Sequence, residues 1–189
     1  MKSLRLLTVA PALLVMSLSA CAGAKMDADK AKERADGYDA AAVVEKYSKV
    51  EVTTKVSIKK NTGVFADDGL MAAYVKTIKA QDGTDTAEGQ DVADYVFASE
   101  MMTMYEKMDG CTVTYYSYKS KGLKMEVKFD RESEEGKTQG TANTYVLDDG
   151  RLEKGDSKMK VIASASMAGV TMEGELEYTI SMTAKWTAK

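Results

Sequence analysis

Two cysteines and no histidine set the limits of the chemistry this 189-residue chain can hold. Without an imidazole, triads built on a histidine base and histidine-bound zinc are out of reach, and two thiols are too few for a disulfide scaffold. Cys111 follows the turn signal Asp109-Gly110 and has no histidine to activate it, so it is expected to be a free, partly buried thiol. Asp67-Asp68-Gly69 and Asp148-Asp149-Gly150 could offer carboxylates to calcium. Neither continues with the alternating oxygen ligands and terminal glutamate of an EF-hand loop, so both read as turns. Glu173, Glu175 and Glu177 alternate along the last apolar segment and read as its solvated face. The expectation is a protein that is not an enzyme and needs no cofactor or metal.

Cys21 is the residue whose setting is informative. Lys2 and Arg5 open the chain, and residues 6–19 form an apolar run of the length of a signal-peptide core, too short to span a bilayer. The run ends in Leu18-Ser19-Ala20-Cys21, which resembles the lipobox of bacterial lipoproteins. That resemblance implies diacylglycerol on the Cys21 thiol, cleavage before it, and a lipid anchor at the cell membrane or outer membrane, facing away from the cytoplasm. The alternative is an ordinary secretory leader that happens to be followed by a cysteine. Ala22 and Gly23 follow, without the aspartate that in two-membrane bacteria usually signals retention at the inner membrane.

Once residues 1–20 are removed, 24 basic residues face 29 acidic ones, a formal charge of −5. A nucleic-acid partner would need a clustered basic face, so none is expected. The expected partners are a membrane, through the lipid on Cys21, and an apolar ligand. The length suits one domain with a hydrophobic core. Residues 21–37 are mostly Ala, Lys and Asp and read as a solvated tether or frayed helix, leaving 38–189 as the folded domain.

The elements follow from periodicity. Ala41, Val44 and Tyr47 at helical spacing predict a short helix over 38–49. From Val50 the period becomes two, with Val50, Val52, Val56 and Ile58 alternating against polar residues as in a half-buried strand. Residues 70–80 fit a helix better than a strand, and 81–91 read as an exposed loop. Asp109-Gly110 is read as a hairpin turn pairing Tyr105 with Thr114 and Thr103 with Tyr116. Lys121-Gly122 is read as another, pairing Tyr118 with Met125 and Tyr116 with Val127. Ala168-Gly169 gives a third, placing Ala165 opposite Met172, Ala163 opposite Gly174 and Val161 opposite Leu176. Apolar residues then alternate without a break from Val170 to Trp186, a length that calls for a bend, with Gly174 a plausible place for it.

The fold class expected is mainly β: one curved antiparallel sheet, a half-barrel or open barrel, with an N-terminal helix and room for one more. Acylated leader, helix and a meander of long amphipathic strands resemble the half-barrel lipoproteins and carriers of the lipoprotein-localisation type and their mycobacterial lipid-binding relatives. The likeness is architectural, over about residues 38–189, and brings no binding residue with it. It implies shelter for acyl chains between sheet and helices. Ala163, Ala165, Met172, Leu176, Met125 and Tyr116 are the candidate ligand-binding residues, the alanines leaving room and the methionines adapting to irregular apolar shapes. Met101, Met159 and Met182 also fall on the apolar faces, where they serve equally as core filling. The function expected is binding of a hydrophobic or amphiphilic ligand at the envelope. The alternative is a structural or adhesive surface lipoprotein whose sheet is filled by its own side chains.

Overall fold

The computed structural model describes residues 23–133, 136–167 and 169–189. The leader expected over residues 1–20, and Cys21, lie outside them. One open, eight-stranded antiparallel sheet forms the frame, built from β1 (Lys25–Met26), β2 (Tyr47–Asn61), β3 (Gly83–Glu88), β4 (Cys111–Tyr118), β5 (Gly122–Ser133), β6 (Gly136–Val146), β7 (Leu152–Met167) and β8 (Val170–Ala188). Their order across the sheet is β1-β4-β5-β6-β7-β8-β2-β3. Strands β4 to β8 form a meander, of which the β4–β5 and β7–β8 hairpins are expected, and β8 is flanked on its far side by the first long strand of the chain.

The register places apolar or small side chains in rows on one face. Phe129, Gly140, Met159, Tyr178 and Ile58 are consecutive cross-strand partners, as are Val127, Ala142, Ser157, Ile180 and Val56. Among the described residues four α-helices, α1 (Ala28–Asp36), α2 (Ala40–Lys46), α3 (Ala72–Lys79) and α4 (Ser99–Glu106), lie among the strands with two 3₁₀ segments, Gly63–Phe65 and Gly89–Tyr95. Small residues in the middle of the sheet make room for bulk from above: Phe65, Phe97, Met102 and Tyr105 are buried in one cluster with Met125, Leu176 and Ile180. A second, smaller cluster gathers Val44, Val50, Val52, Ala87, Val92 and Met182.

Five expectations require correction, four of them concerning elements and one a register. Residues 28–36, read as a solvated tether or frayed helix, form a packed helix, α1, capped by the Asp27 carboxylate, which accepts from the Asp29 N–H at 3.0 Å. Ala31 and Ala35, one turn apart, are buried, and the Arg34 guanidinium donates to the Gly122 carbonyl at 2.8 Å. A helix lying this close to its neighbours needs small residues, so its composition looks unlike a core element. Residues 38–49 hold a shorter helix than expected, because Tyr47 already starts β2. Residues 83–88, read as a loop, pair with β2 as a polar edge strand whose single buried residue is Ala87. Residues 99–106 form α4 instead of the first arm of a hairpin. Met102 and Tyr105 face inward at i and i+3 there, and methionine is a good helix former.

The β4–β5 register also differs. Tyr118 pairs with Gly122, Tyr116 with Lys124 and Tyr115 with Met125, so the connection is a three-residue loop at 119–121 with Lys119 at φ 52°. Gly122 belongs to the strand. A Cβ there would lie 2.3 Å from the Val146 carbonyl oxygen, so this glycine serves the close approach of β6. The displacement by an odd number of residues turns β4 over: Tyr115 is buried and Tyr116 lies on the opposite face.

The β7–β8 hairpin has the expected register, with Met167 opposite Val170, Ala165 opposite Met172 and Ala163 opposite Gly174. Ala168 itself lies outside the described residues. On the outer face of this pair Glu175 accepts from Lys160 at 2.6 Å and from Lys60 at 2.8 Å. These two ammonium groups, Lys160 first, hold the Glu175 carboxyl down at about 2. Because the folded value is depressed, the stabilisation is present above the ordinary carboxylate range and is lost as pH falls toward 2. The melting temperatures of the wild type and Glu175→Gln are therefore expected to differ at pH 6 and to converge between about pH 4.5 and 2. A difference that stays constant across that window would count against the network.

Candidate functional site

The six candidate residues separate into three environments. Ala163, Leu176 and Met125 are buried at 8%, 0% and 1% exposure, inside the cluster that Val64, Phe65, Val75, Ile78 and Met102 complete from the helical side. Ala165 is half-buried, and its cross-strand partner Met172 is 42% exposed toward the hairpin end. Tyr116 stands on the other face, where the Lys124 ammonium lies 5.0 Å from its ring centroid. The sheet thus brings Ala163, Leu176 and Met125 onto one covered face, leaves Ala165 and Met172 at its open end, and separates Tyr116 from all of them.

The covering is specific. The 3₁₀ turn Gly63–Phe65 reaches over β7 and β8, and the Met71 N–H donates to the Val64 carbonyl at 2.7 Å, tying α3 to that turn. On the β4 side, the Tyr115 hydroxyl donates to Glu106 of α4 at 2.7 Å. Burial, and then this bond to a carboxylate, push the Tyr115 hydroxyl well above its ordinary value, so it stays a neutral donor.

An open cleft lies elsewhere. It measures about 630 Å³ and opens between the β4–β5 and β6–β7 turns, lined by Lys119, Ser120, Lys121, Leu147, Asp148, Asp149 and Arg151. Arg151 is clasped: its guanidinium carbon lies 4.0 Å from the Tyr47 ring centroid and 5.5 Å from that of Trp186, and its Nε donates to both Asp149 oxygens at 2.8 and 3.0 Å. The Trp186 indole N–H donates to the Leu152 carbonyl at 2.9 Å. Asp148 accepts the Lys121 backbone N–H at 3.0 Å. Beside it, burial alone would raise the Glu153 carboxyl, but bonds from Lys119 at 2.6 Å and the Tyr118 hydroxyl at 2.6 Å outweigh it and hold it below its ordinary value. Both carboxylates of the lining are therefore engaged by donors of the chain itself.

Sequence reasoning identified Asp148-Asp149-Gly150 as a turn but not the clasp, because Tyr47, Arg151 and Trp186 are far apart along the chain and meet only through the β2–β8 pairing. Cys111 is a free thiol, and burial pushes it above its ordinary value, the opposite of what activates a nucleophile. Among the described residues no group of three or more potential ligands gathers around a metal position, and no helix is long and apolar enough to cross a membrane. No protein-family model matches this chain, and neither a curated protein nor a solved structure is similar to it.

Proposed function

We propose that this chain is a lipid-anchored protein of the bacterial cell envelope that acts through its outer surfaces, as a structural or adhesive element. The supporting observation is the filling of the sheet's apolar face: Val64, Phe65, Met102 and Tyr105 occupy the volume that an acyl chain would need over Leu176, Ile180 and Met125. The anchor is the part of the proposal drawn from the leader and Cys21.

A second reading, binding of a hydrophobic or amphiphilic ligand, draws on one observation. Val170 and Met172 are 62% and 42% exposed at the hairpin end, next to half-buried Ala165. A ligand seated there would use Ala165 and Met172 of the six candidates. Thermal melts of the purified protein with a long-chain fatty acid or phosphatidylglycerol micelles separate the two readings. Binding to the native state at a hundred times Kd adds about 2.7 kcal/mol of stability, so a ligand-binding protein gains several degrees. The expected result is an unchanged melting temperature, and a rise that saturates with lipid would establish the second reading instead.

A further inference from the structure

The described chain starts beside the end of β4. Gly23 and Ala24 run beside the end of β4: the Ser117 backbone N–H donates to the Ala24 carbonyl at 3.0 Å and the Ser117 hydroxyl donates to it at 3.3 Å. Lys25 and Met26 then pair with Tyr116 and Tyr115, and α1 follows directly onto the core. Cys21 is two residues before Gly23, a reach of at most about 7 Å. Within that reach of Gly23 lies the end of the sheet from which the 119–121 and 147–151 turns project.

We infer that this end of the sheet stands on the lipid headgroups, with the Lys119–Lys121 turn at phosphate level and the β7–β8 hairpin pointing away from the membrane. The inference rests on the lipid-anchor reading of Cys21. Lys119, Ser120 and Lys121 are exposed. Of the negative groups near them, Asp149 is paired with Arg151 and Glu153 with Lys119, while Asp148 accepts the neutral Lys121 N–H and keeps its charge. The Lys121 ammonium can then reach toward a lipid phosphate from the rim of the 630 Å³ cleft. From Lys154 to the turn at Gly169 the hairpin extends about 50 Å, so the exposed Val170 and Met172 would be held far from the bilayer that carries the anchor.

The test uses the acylated protein purified from host membranes and reconstituted in vesicles of phosphatidylethanolamine and phosphatidylglycerol carrying a headgroup energy-transfer acceptor. Lys121→Cys and Val170→Cys, each with Cys111→Ser, are labelled with a donor dye. Transfer is expected to be several-fold stronger from position 121 than from 170. Equal transfer from both would overturn the orientation, and stronger transfer from 170 would do so in favour of a hairpin tip that dips into lipid. Intact mass and vesicle flotation are read first. A protein without the acyl mass that fails to float would remove the anchor and the orientation with it, whereas an acylated, floating protein with the wrong transfer pattern would sink the orientation alone.

Discussion

Replacing Cys21 with alanine is expected to abolish fatty-acid incorporation and to move the protein from the membrane fraction to the soluble one. The expectation rests on reading residues 1–20 as a leader, from their basic start, an apolar run too short to span and Leu18-Ser19-Ala20 before the thiol. The magnitude comes from the lipid. Each buried methylene contributes about 0.8 kcal/mol; one myristoyl chain binds only marginally, whereas two chains hold stably. Losing the thioether should therefore change partitioning from almost complete to negligible. Label uptake from a fatty-acid analogue is the primary readout, because a leader left uncut would itself retain the variant. The mass of the N-terminal peptide separates the cases. A wild type that takes up no label, or a variant that fractionates with membranes after correct cleavage, would show that Cys21 is not the anchor.

How much of the fold was legible depended on how far the apolar pattern could be checked against a second constraint. The β7–β8 register is legible because seventeen alternating positions have to agree with one turn, and Gly169 at φ 82° is where the turn needs a glycine. The β4–β5 pair had less to hold it. Three tyrosines in four positions, Tyr115, Tyr116 and Tyr118, are apolar on either parity, so the glycine nearest the bend decided the register and decided it wrongly. α4 failed for a related reason, since Met101, Met102 and Met104 satisfy a strand face and a helix face alike. α1 was hidden by its smallness, because Ala31 and Ala35 contribute little hydrophobicity yet are buried.

The candidate site shared this pattern. Leu176 and Met125 were placed on the apolar face as expected, but what lies above that face comes from residues 63–65 and 99–106. No periodicity within β5 or β8 could have shown that those segments fold back over them. The Arg151 clasp was equally invisible, being made by the ends of strands that are neighbours only in the finished sheet.

Ala163→Trp is expected to be the most damaging of the substitutions on the covered face. Ala163 lies between Gly136 on one strand and Gly174 on the other, so neither of its immediate cross-strand partners has a side chain. The row looks like a groove, but it is occupied. A Cβ on Gly174 would fall 2.4 Å from the Thr62 carbonyl oxygen and 2.6 Å from the Val64 nitrogen, so backbone of the 3₁₀ turn already fills the space over it. An indole at 163 has to displace that backbone, Val64 with it and then α3, which is hydrogen-bonded to Val64 through Met71. Overpacking costs typically 1–3 kcal/mol and more where backbone must move. A loss of about 3 kcal/mol would lower the melting temperature by roughly 10 °C in a chain of this length. Met172→Trp supplies the comparison, because it lies on the same face of the same hairpin, but 42% exposed, and should change stability by no more than about 0.5 kcal/mol. A cavity-lined sheet would tolerate both substitutions. If Ala163→Trp melts with the wild type, the face is not filled by the chain itself, and the structural or adhesive reading loses its support to the ligand-binding one.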